Sequence, residues 1–330
     1  MSLASRSSVT VRAPARLHMG FLDLNGGLGR RYGSLGVALE ELGVRLRAMP
    51  AATVEARGAQ AARAAEFARR ALEVLGLDTG VHIDVLEAIP DHAGLGSGTQ
   101  LALAVGAAVG HLHGVDWPAR DIARALGRGG RSGIGLGLFD RGGFLVDGGR
   151  RGDRDEPPTV VSRMDFPAAW RFVLVFDPGF RGLHGEAERR AFAELPEFSE
   201  ANAGRLCRLA LLGALPALAE RDARGFGAAV EEIQNVVGDH FAPAQGGRYA
   251  SGRVARALDW LRARGAVGVG QSSWGPTGFA LADSEVAAHA LVRDLRADAA
   301  GDGLTVQVCA ARNRGAEIEF ESRASRVCAG

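Results

Sequence analysis

A glycine-rich loop between an apolar strand pattern and an apolar helix pattern constrains this chain most. Val81, Ile83 and Val85 alternate with polar residues, which is typical of a strand. The loop at residues 89–100 follows and leads directly into residues 101–112, which are apolar and of helix length. Glycine lets backbone N–H groups approach an anion closely, and a helix N-terminus adds partial positive charge. The pattern therefore predicts a phosphate-binding loop.

Two other phosphate-binding motifs do not fit this loop. The Walker A motif needs a lysine, and the chain contains none. A dinucleotide fingerprint needs G-x-G-x-x-G and an acidic residue about 20 positions later, after a second strand, and neither is present. A bare glycine cluster also fits a flexible loop without a ligand, but the strand–loop–helix context favours binding. The residues that we predict to bind phosphate are Gly94, Gly96, Ser97, Gly98, Thr99 and Gln100.

The composition indicates a globular protein with one large or two modest domains. The 330 residues are 47% hydrophobic and 23% charged. A net charge of +1 argues against a nucleic-acid partner or a membrane surface, because both attract a concentrated positive field. Three cysteines without C-x-x-C spacing exclude a disulfide framework and a thiolate zinc site, so a reducing cytoplasm fits best. There is no signal-peptide pattern and no apolar run of membrane-spanning length, so we expect no membrane partner.

Strand and helix patterns occur in a mixed order that predicts an α+β fold, not strict βαβ alternation. The charged, proline-broken segment at residues 150–158 is the best boundary, giving domains at residues 1–158 and 159–330. Helical spacing, where apolar residues recur every three to four positions, predicts helices at residues 60–75, 185–195, 201–219 and 223–237.

Six motifs are spread from one end of the chain to the other. They are PARLHMGFLDLNG at 14–26, GLGSGTQLAL at 94–103, GRGGRSGIG at 127–135, GGFLVDGG at 142–149, GLHGE at 182–186 and GQSSWGPTGF at 270–279. Each is weak alone, but together they resemble the GHMP kinase superfamily and, within it, the β-ribofuranosylaminobenzene 5′-phosphate synthases.

This resemblance implies a two-domain GHMP kinase-like fold, with a ribosomal S5 domain 2-like N-terminal domain and a ferredoxin-like C-terminal domain. The active site would lie in the cleft between the domains. The implied reaction joins phosphoribosyl pyrophosphate to 4-aminobenzoate with release of CO₂ and pyrophosphate, towards tetrahydromethanopterin. Mg²⁺ would accompany the pyrophosphate, and the family implies a homodimer.

The residues themselves leave alternatives to this reaction. GHMP kinases of the mevalonate type carry an aspartate in an S-G-I-D motif and pair it with a lysine, whereas this chain has Gly135 at that position and no lysine. Some kinases of the superfamily work without that aspartate, so an ATP-dependent small-molecule kinase remains an alternative, as does a non-catalytic sensor of a phosphorylated metabolite. The acceptor could also be 4-hydroxybenzoate.

Four residues of the first motifs are candidates for catalysis. Asp23 could stabilise a sugar cation, or it could cap the turn that follows it. Arg30 and Arg16 could hold the aromatic carboxylate with a guanidinium fork, or could be exposed surface residues. His18 could bind a substrate group or handle a proton, although a lone histidine is often structural.

Other candidates lie near the remaining glycine motifs. Ser132, Ser272, Ser273 and Thr277 could hydrogen-bond the ligand, or the last three could only shape the turn. Trp274 could stack on an aromatic substrate or simply pack in the core. His184 lies in a segment that could cover the site or begin a helix. Asp91, beside the phosphate loop, could be a Mg²⁺ ligand or point to solvent.

Overall fold

The computed structural model describes residues 6–152, 156–180, 190 and 194–322. Within these ranges the chain forms two β-sheets, of eight and four strands, with helices packed against them. The predicted α+β class is confirmed.

The larger sheet is built around two very long antiparallel strands, β1 and β2, of 18 and 22 residues. The strands lie in the order β12-β1-β2-β4-β3, where β4 pairs with the C-terminal part of β2. The N-terminal part of β2 pairs with β5, and β5 pairs with β7. Its strands are β1 (Arg6–Asp23), β2 (Arg30–Ala51), β3 (Glu55–Gly58), β4 (Gly80–Glu87), β5 (Phe144–Asp147), β6 (Arg150–Arg151), β7 (Val160–Met164) and β12 (Glu317–Ser322).

Strand β1 alternates as a half-buried strand should. Val9, Val11, Ala13, Ala15 and Leu17 are all fully buried, and the intervening residues point to the opposite face. The buried face contacts helix α2 (Ser97–Leu112), which is apolar on almost every side, as expected for a helix enclosed by the core. The helices of this layer are α1 (Ala61–Leu75), α2 (Ser97–Leu112), α3 (Ala119–Ala125) and α4 (Ile134–Arg141).

The predicted helix at residues 60–75 matches α1 closely, and Gly76 ends it in a left-handed conformation with φ of 64°. The helix predicted at residues 101–112 begins earlier, at Ser97, inside the glycine-rich motif. The loop is therefore shorter than the sequence suggested, and the helix N-terminus lies closer to its glycines.

The smaller sheet is antiparallel, with the order β11-β8-β10-β9. Numbered within this sheet, the order is 4-1-3-2 with helices after the first and third strands, which is the ferredoxin-like arrangement. Its strands are β8 (Arg171–Phe176), β9 (Gly268–Gln271), β10 (Gly278–Ala282) and β11 (Thr305–Ala310).

The helices of the second layer are α5 (Glu200–Leu209), α6 (Leu215–Glu220), α7 (Ala223–Gln245), α8 (Gly252–Ala263) and α9 (Glu285–Arg296). The helix predicted at 201–219 contains a π-helical turn, Ala210–Ala214, between α5 and α6. The helix predicted at 223–237 continues for eight more residues, because Phe241 extends its buried face. Most of the helix predicted at 185–195 lies outside the described residues.

The two sheets do not divide the chain at residue 158. Strands β7 and β12 both follow that position, yet both pair within the larger sheet, through β5 and β1 respectively. The local signal of charge and proline marks an exposed connection, but it carries no information about which sheet a later strand joins. No helix in the described part of the chain combines the length and apolarity needed to cross a bilayer.

Arg312 ties the segment between β11 and β12 to the larger sheet. It is 2% exposed and forms ion pairs with Glu40 at 2.8 Å and Glu317 at 3.0 Å. Its guanidinium also donates to the carbonyl oxygens of Arg314 and Gly315. A buried guanidinium with this many acceptors compensates well for its loss of hydration.

We expect Arg312→Ala to destabilise the protein by about 3 kcal/mol, because it removes the buried donor that two carboxylates and two carbonyl groups share. Urea unfolding followed by circular dichroism measures this. The control is Arg314→Ala, which pairs with the same two glutamates from an exposed position and should cause no measurable loss. Equal losses in the two variants would contradict the role assigned to burial.

Candidate active site

The phosphate loop adopts a conformation that needs glycine. Gly94 and Gly96 have φ of 74° and 81°, and Gly96 is the residue that precedes the first turn of α2. A Cβ on Gly94 would overlap the carbonyl oxygen of Ser272, and one on Gly96 would lie 2.5 Å from Cγ of Arg16. The first N–H groups of α2 have no partner within the helix, and the helix dipole makes this end positive. The start of α2 therefore has the backbone geometry that the predicted anion site requires.

Two hydroxyl groups from the C-terminal glycine motif hold this loop. Ser272 Oγ donates to the carbonyl of Gly94 at 2.8 Å, and Thr277 Oγ1 donates to that of Ala93 at 2.7 Å. The N–H of His18 donates in turn to Ser272 Oγ at 3.1 Å. Both hydroxyls are fully buried and committed to these partners, so Ser272 and Thr277 position the loop and do not face a ligand directly.

Three arginines surround the N-terminus of α2. Arg16 packs against Gly96 and donates to the carbonyl of Gly94 at 3.3 Å. Arg63 on α1 and Arg128 on the loop after α3 both lie beside Gly98; a Cβ there would be 2.5 Å from Nη2 of Arg63 and 3.7 Å from Nη1 of Arg128. The guanidinium of Arg128 also lies over the ring of Phe67, 4.9 Å from its centroid. Burial, and then the charge of Arg63, lower the pKa of Arg128 from its usual value.

Beside these arginines lies a cleft with a volume of about 320 Å³, large enough for a small phosphorylated metabolite. Arg16, His18, Thr99, Ser132 and Ser273 are predicted site residues that the structure brings together in its wall. The remaining wall is formed by Phe21, Gly127, Arg128, Gly129, Gly130, Arg131 and Gly135.

A buried carboxylate fixes the orientation of Ser132. Asp147 is fully buried and accepts hydrogen bonds from Ser34 Oγ at 2.6 Å and from the N–H groups of Gly133 and Gly149 at 2.9 and 3.0 Å. Burial raises the pKa of Asp147, and these hydrogen bonds oppose the rise. Ser132 Oγ lies 2.7 Å from Ser34 Oγ, so the network anchors the second glycine motif at the edge of the cleft.

Gly135 occupies the position where the mevalonate-type kinase motif has aspartate. It lines the cleft, and a Cβ there would lie 3.1 Å from Cγ2 of Thr99. Gln100, predicted to bind phosphate, is fully buried and donates from Nε2 to the carbonyl of Gly135 at 2.8 Å. Gln100 therefore sets the distance between α2 and the Gly135 backbone.

His18 is 1% exposed, and its ring lies 4.6 Å from that of Phe21. Neither ring nitrogen has a hydrogen-bond partner among the residues that the structure describes. Burial, and secondarily the charge of Arg16, hold the pKa of His18 well below its usual value of 6.5. The imidazole is therefore neutral at physiological pH, with one nitrogen as a donor and the other as an acceptor.

Several predicted residues lie away from the cleft. Asp23 Oδ1 accepts hydrogen bonds from the N–H groups of Asn25 and Gly26, both at 2.8 Å, so it caps the turn after β1. Arg30 is exposed and donates to the carbonyl of Gly149 at 3.1 Å, beside a different cavity of about 100 Å³. Neither is among the residues that line the cleft.

Two aromatic predictions have different outcomes. Trp274 is 3% exposed, and its ring lies 4.5 Å from that of Phe241, so it packs in the core and does not line the cleft. His184 lies outside the described residues.

The donor set of the cleft does not form a resident cation site. Magnesium requires oxygen ligands, whereas the charged side chains in the cleft wall are those of Arg16, Arg128 and Arg131. Within residues 6–152, 156–180 and 194–322, no group of three or more His, Cys, Asp or Glu side chains could hold a metal ion. Asp91 accepts a hydrogen bond from Nη1 of Arg63 at 2.9 Å and is about half exposed. Its carboxylate thus pairs with an arginine beside the start of α2.

Arg63 and Arg128 were not among the residues predicted from the sequence for this site. Arg128 stands in the motif GRGGRSGIG, where an arginine between glycines was a usable signal for anion binding. Arg63 lies on an amphipathic helix rich in arginine, and only the packing of α1 against α2 singles it out from Arg69 and Arg70.

Comparison with known proteins shows the family. The GHMP kinases N terminal domain matches residues 60–148, and the GHMP kinases C terminal domain matches residues 214–301. The chain is 36% identical to the β-ribofuranosylphenol 5′-phosphate synthase of Archaeoglobus fulgidus, over 94% of this chain and 99% of that protein. It is 34% identical to the protein of the same name from Methanothermobacter thermautotrophicus, over 93% and 97%. The chain belongs to this family of synthases within the GHMP kinase superfamily. The relationship predicted from the six motifs is confirmed, although the relatives are named for a phenol and not for an aminobenzene.

Solved structures support the same fold. A homoserine kinase from Cytophaga hutchinsonii superposes with a TM-score of 0.65 at 20% identity, covering 97% of this chain and 99% of that one. Mevalonate diphosphate decarboxylase from Staphylococcus aureus gives a TM-score of 0.64 at 15% identity, with coverage of 95% and 98%. These likenesses concern the fold alone.

The buried, neutral state of His18 predicts a pH-dependent stability. As the pH falls below about 6.5, the unfolded chain takes up a proton at His18 that the folded chain does not, so stability is lost down to the folded-state pKa. Between pH 6.5 and 5.5 we expect His18→Phe to remove about 1 kcal/mol of this loss, measured by urea unfolding at both pH values. His289→Gln, on an exposed side chain, is the control for loss of a histidine. Identical pH slopes for wild type and His18→Phe would contradict the prediction.

Proposed function

We propose that this protein joins phosphoribosyl pyrophosphate to 4-aminobenzoate and releases CO₂ and pyrophosphate. The ring carbon that bears the carboxylate forms a bond to C1 of the ribose as the C1–oxygen bond to pyrophosphate breaks. The bond from that ring carbon to CO₂ then breaks, and its electron pair restores the aromatic ring. The product is a C-riboside, which a pathway towards tetrahydromethanopterin would consume.

The observation that carries the proposal is the convergence of Arg16, Arg63 and Arg128 on the N-terminus of α2, beside a cleft without a kinase aspartate. Departure of pyrophosphate concentrates negative charge on the leaving group. Donors that are already in place stabilise that charge as it develops, at no cost of rearrangement. Backbone N–H groups and three guanidinium groups are such donors.

The position of Gly135 favours this reaction over phosphoryl transfer. A carboxylate there would reach the cleft next to Thr99, and in kinases of the mevalonate type it lies near the transferred phosphate. None of the described residues that line the cleft carries a carboxylate, and the chain has no lysine. The parts that remain bind a polyphosphate without supplying a base for an attacking hydroxyl.

Magnesium enters the proposal as part of the substrate. A divalent ion bound to the pyrophosphate would reduce its charge and assist its departure. The chain contributes the arginines and N–H groups that hold such a complex, since its own carboxylates form no cation site within the described residues.

The acceptor is a para-substituted benzoate in this proposal. Attack by the ring needs electron release from the para position, which an amino or a hydroxyl group provides. The names of the relatives from Archaeoglobus fulgidus and Methanothermobacter thermautotrophicus point to the hydroxyl compound for those proteins. For this chain we keep 4-aminobenzoate as the proposed acceptor and test it against 4-hydroxybenzoate.

The test uses purified protein, Mg²⁺, phosphoribosyl pyrophosphate and either acceptor labelled at its carboxyl carbon. We expect labelled CO₂ only when phosphoribosyl pyrophosphate is present, with higher kcat/KM for 4-aminobenzoate. A higher kcat/KM for 4-hydroxybenzoate would correct the acceptor and keep the reaction class. The absence of labelled CO₂, with ATP consumed against a panel of small alcohols, would replace the proposal with the kinase alternative.

The arginine cluster gives a second prediction. Arg63→Gln and Arg128→Gln should each raise the KM for phosphoribosyl pyrophosphate about tenfold or more, because each removes a charged hydrogen bond of about 1.5–3 kcal/mol. The KM for the benzoate should change little. Arg69→Gln, an exposed arginine on the same helix as Arg63, is the matched control and should retain wild-type kinetics. Unchanged KM values in both cluster variants would remove the arginines from the leaving-group site.

A further inference from the structure

A small cavity adjoins the cleft on the far side of His18. Its volume is about 10 Å³, which is close to the space that one water-sized group requires. His18, Phe21 and Ser273 line both the cavity and the cleft, so the two are neighbours through these side chains. The rest of the cavity wall includes Gln234 and Phe241 from α7. We call it the His18 niche.

The niche contains polar atoms whose hydrogen-bonding capacity is not used within the described residues. Both ring nitrogens of His18 are buried without a partner. Gln234 is 6% exposed; its Oε1 accepts from the N–H of Gln271 at 2.8 Å, and its Nε2 donates to none of the residues that the structure describes. Because the Gln271 N–H requires an acceptor, the amide orientation of Gln234 is fixed, and its Nε2 is the end available to the niche.

The neighbouring glutamines do not satisfy these atoms. Gln271 Nε2 donates to Gln245 Oε1 at 3.3 Å, and Gln271 Oε1 accepts from the N–H of Ala250 at 2.7 Å. Gln245 Nε2 donates to the carbonyl of Arg248 at 2.9 Å. Buried polar groups are nearly always hydrogen-bonded, so the two unpartnered ring nitrogens of His18 point to a ligand group, which the Gln234 amide in the same cavity wall could also reach.

We propose that the His18 niche receives the para substituent of the aromatic acceptor, with His18 accepting a hydrogen bond from that substituent and Gln234 facing it as a donor. This inference rests on the proposed function. An amino or hydroxyl group is about the size of a water molecule and so matches the niche. The benzene ring would then extend past Phe21 into the larger cleft, with its carboxylate end directed towards the ribose.

The chemistry of the reaction gives this placement a purpose. When the ring attacks C1 of the ribose, positive charge spreads to the para substituent and makes its N–H or O–H a stronger donor. A neutral imidazole that accepts this hydrogen bond stabilises the charge as it forms. Burial keeps His18 in the neutral state that this role needs. The Gln234 amide can donate to a hydroxyl oxygen but gains little from an aniline nitrogen, whose lone pair is delocalised into the ring.

The experiment compares wild type, His18→Phe, His18→Gln and Gln234→Glu in the labelled-CO₂ assay with both acceptors. The probe for the niche is 4-methylbenzoate as a competitive inhibitor, because its para group has a similar size and no polar atom. In His18→Phe we expect the KM for 4-aminobenzoate to rise at least tenfold and the Ki of 4-methylbenzoate to fall. The KM for phosphoribosyl pyrophosphate should stay within twofold of wild type.

The other variants keep the test decisive if His18→Phe folds poorly. His18→Gln retains an acceptor near the Nε2 position and should recover part of the affinity for 4-aminobenzoate. Gln234→Glu keeps the acceptor for Gln271 and removes the donor, so it should raise the KM for 4-hydroxybenzoate more than that for 4-aminobenzoate. Gln307→Glu, on β11 of the smaller sheet, is the control for the same change of charge and should match wild type.

The outcomes separate the two proposals. Turnover with unchanged acceptor KM values and an unchanged Ki in the His18 and Gln234 variants would overturn the niche assignment while the proposed function stands. A rise in the KM for phosphoribosyl pyrophosphate alone would also overturn it and place His18 beside the sugar phosphate. A wild-type protein that releases no CO₂ from either acceptor would remove the function and the niche assignment together.

Discussion

The hydrogen bonds from Ser272 and Thr277 to the carbonyls of Gly94 and Ala93 are the constraint on which the site depends. They join a loop of the smaller sheet to the phosphate loop of the larger one. Because buried hydroxyl groups bind the loop carbonyls, the backbone that precedes α2 is held in one conformation. The N-terminus of α2 is positioned by that backbone, Arg16 donates to the Gly94 carbonyl, and the N–H of His18 donates to Ser272.

Charge in the cleft is organised by burial as well as by residue type. The positive charge comes from arginines, which stay protonated even where burial lowers their pKa, as at Arg128. The nearest fully buried carboxylate, Asp147, is surrounded by hydroxyl and N–H donors and serves to anchor Ser132. His18, between the cleft and its niche, is held neutral. The result is a site that favours anions and contains a neutral hydrogen-bonding group.

The motifs predicted the fold, the family and much of the cleft, but they did not rank residues within a motif. Arg16 and His18 are two positions apart, lie on the same face of β1 and line the cleft. Asp23, in the same motif, caps the turn that follows β1. Arg30 is carried to an exposed edge by the start of β2. A motif records which residues occur together, and the twist and register of β1 and β2 decide which of them face the ligand.

The sequence by itself determined the strand–loop–helix geometry around the glycine-rich loop, since the apolar strand, the glycines and the apolar helix are local features that fix local geometry. The sequence also determined the ends of α1. It shows directly that the chain has no lysine and that position 135 is glycine and not aspartate. Only the tertiary structure decided that Arg63 and Arg128 meet at Gly98, that Ser272 and Thr277 bind the loop, and that Gln234 and His18 line one cavity. These contacts join residues far apart in the chain, and their distances follow from the packing of helices on two sheets, which no local pattern encodes.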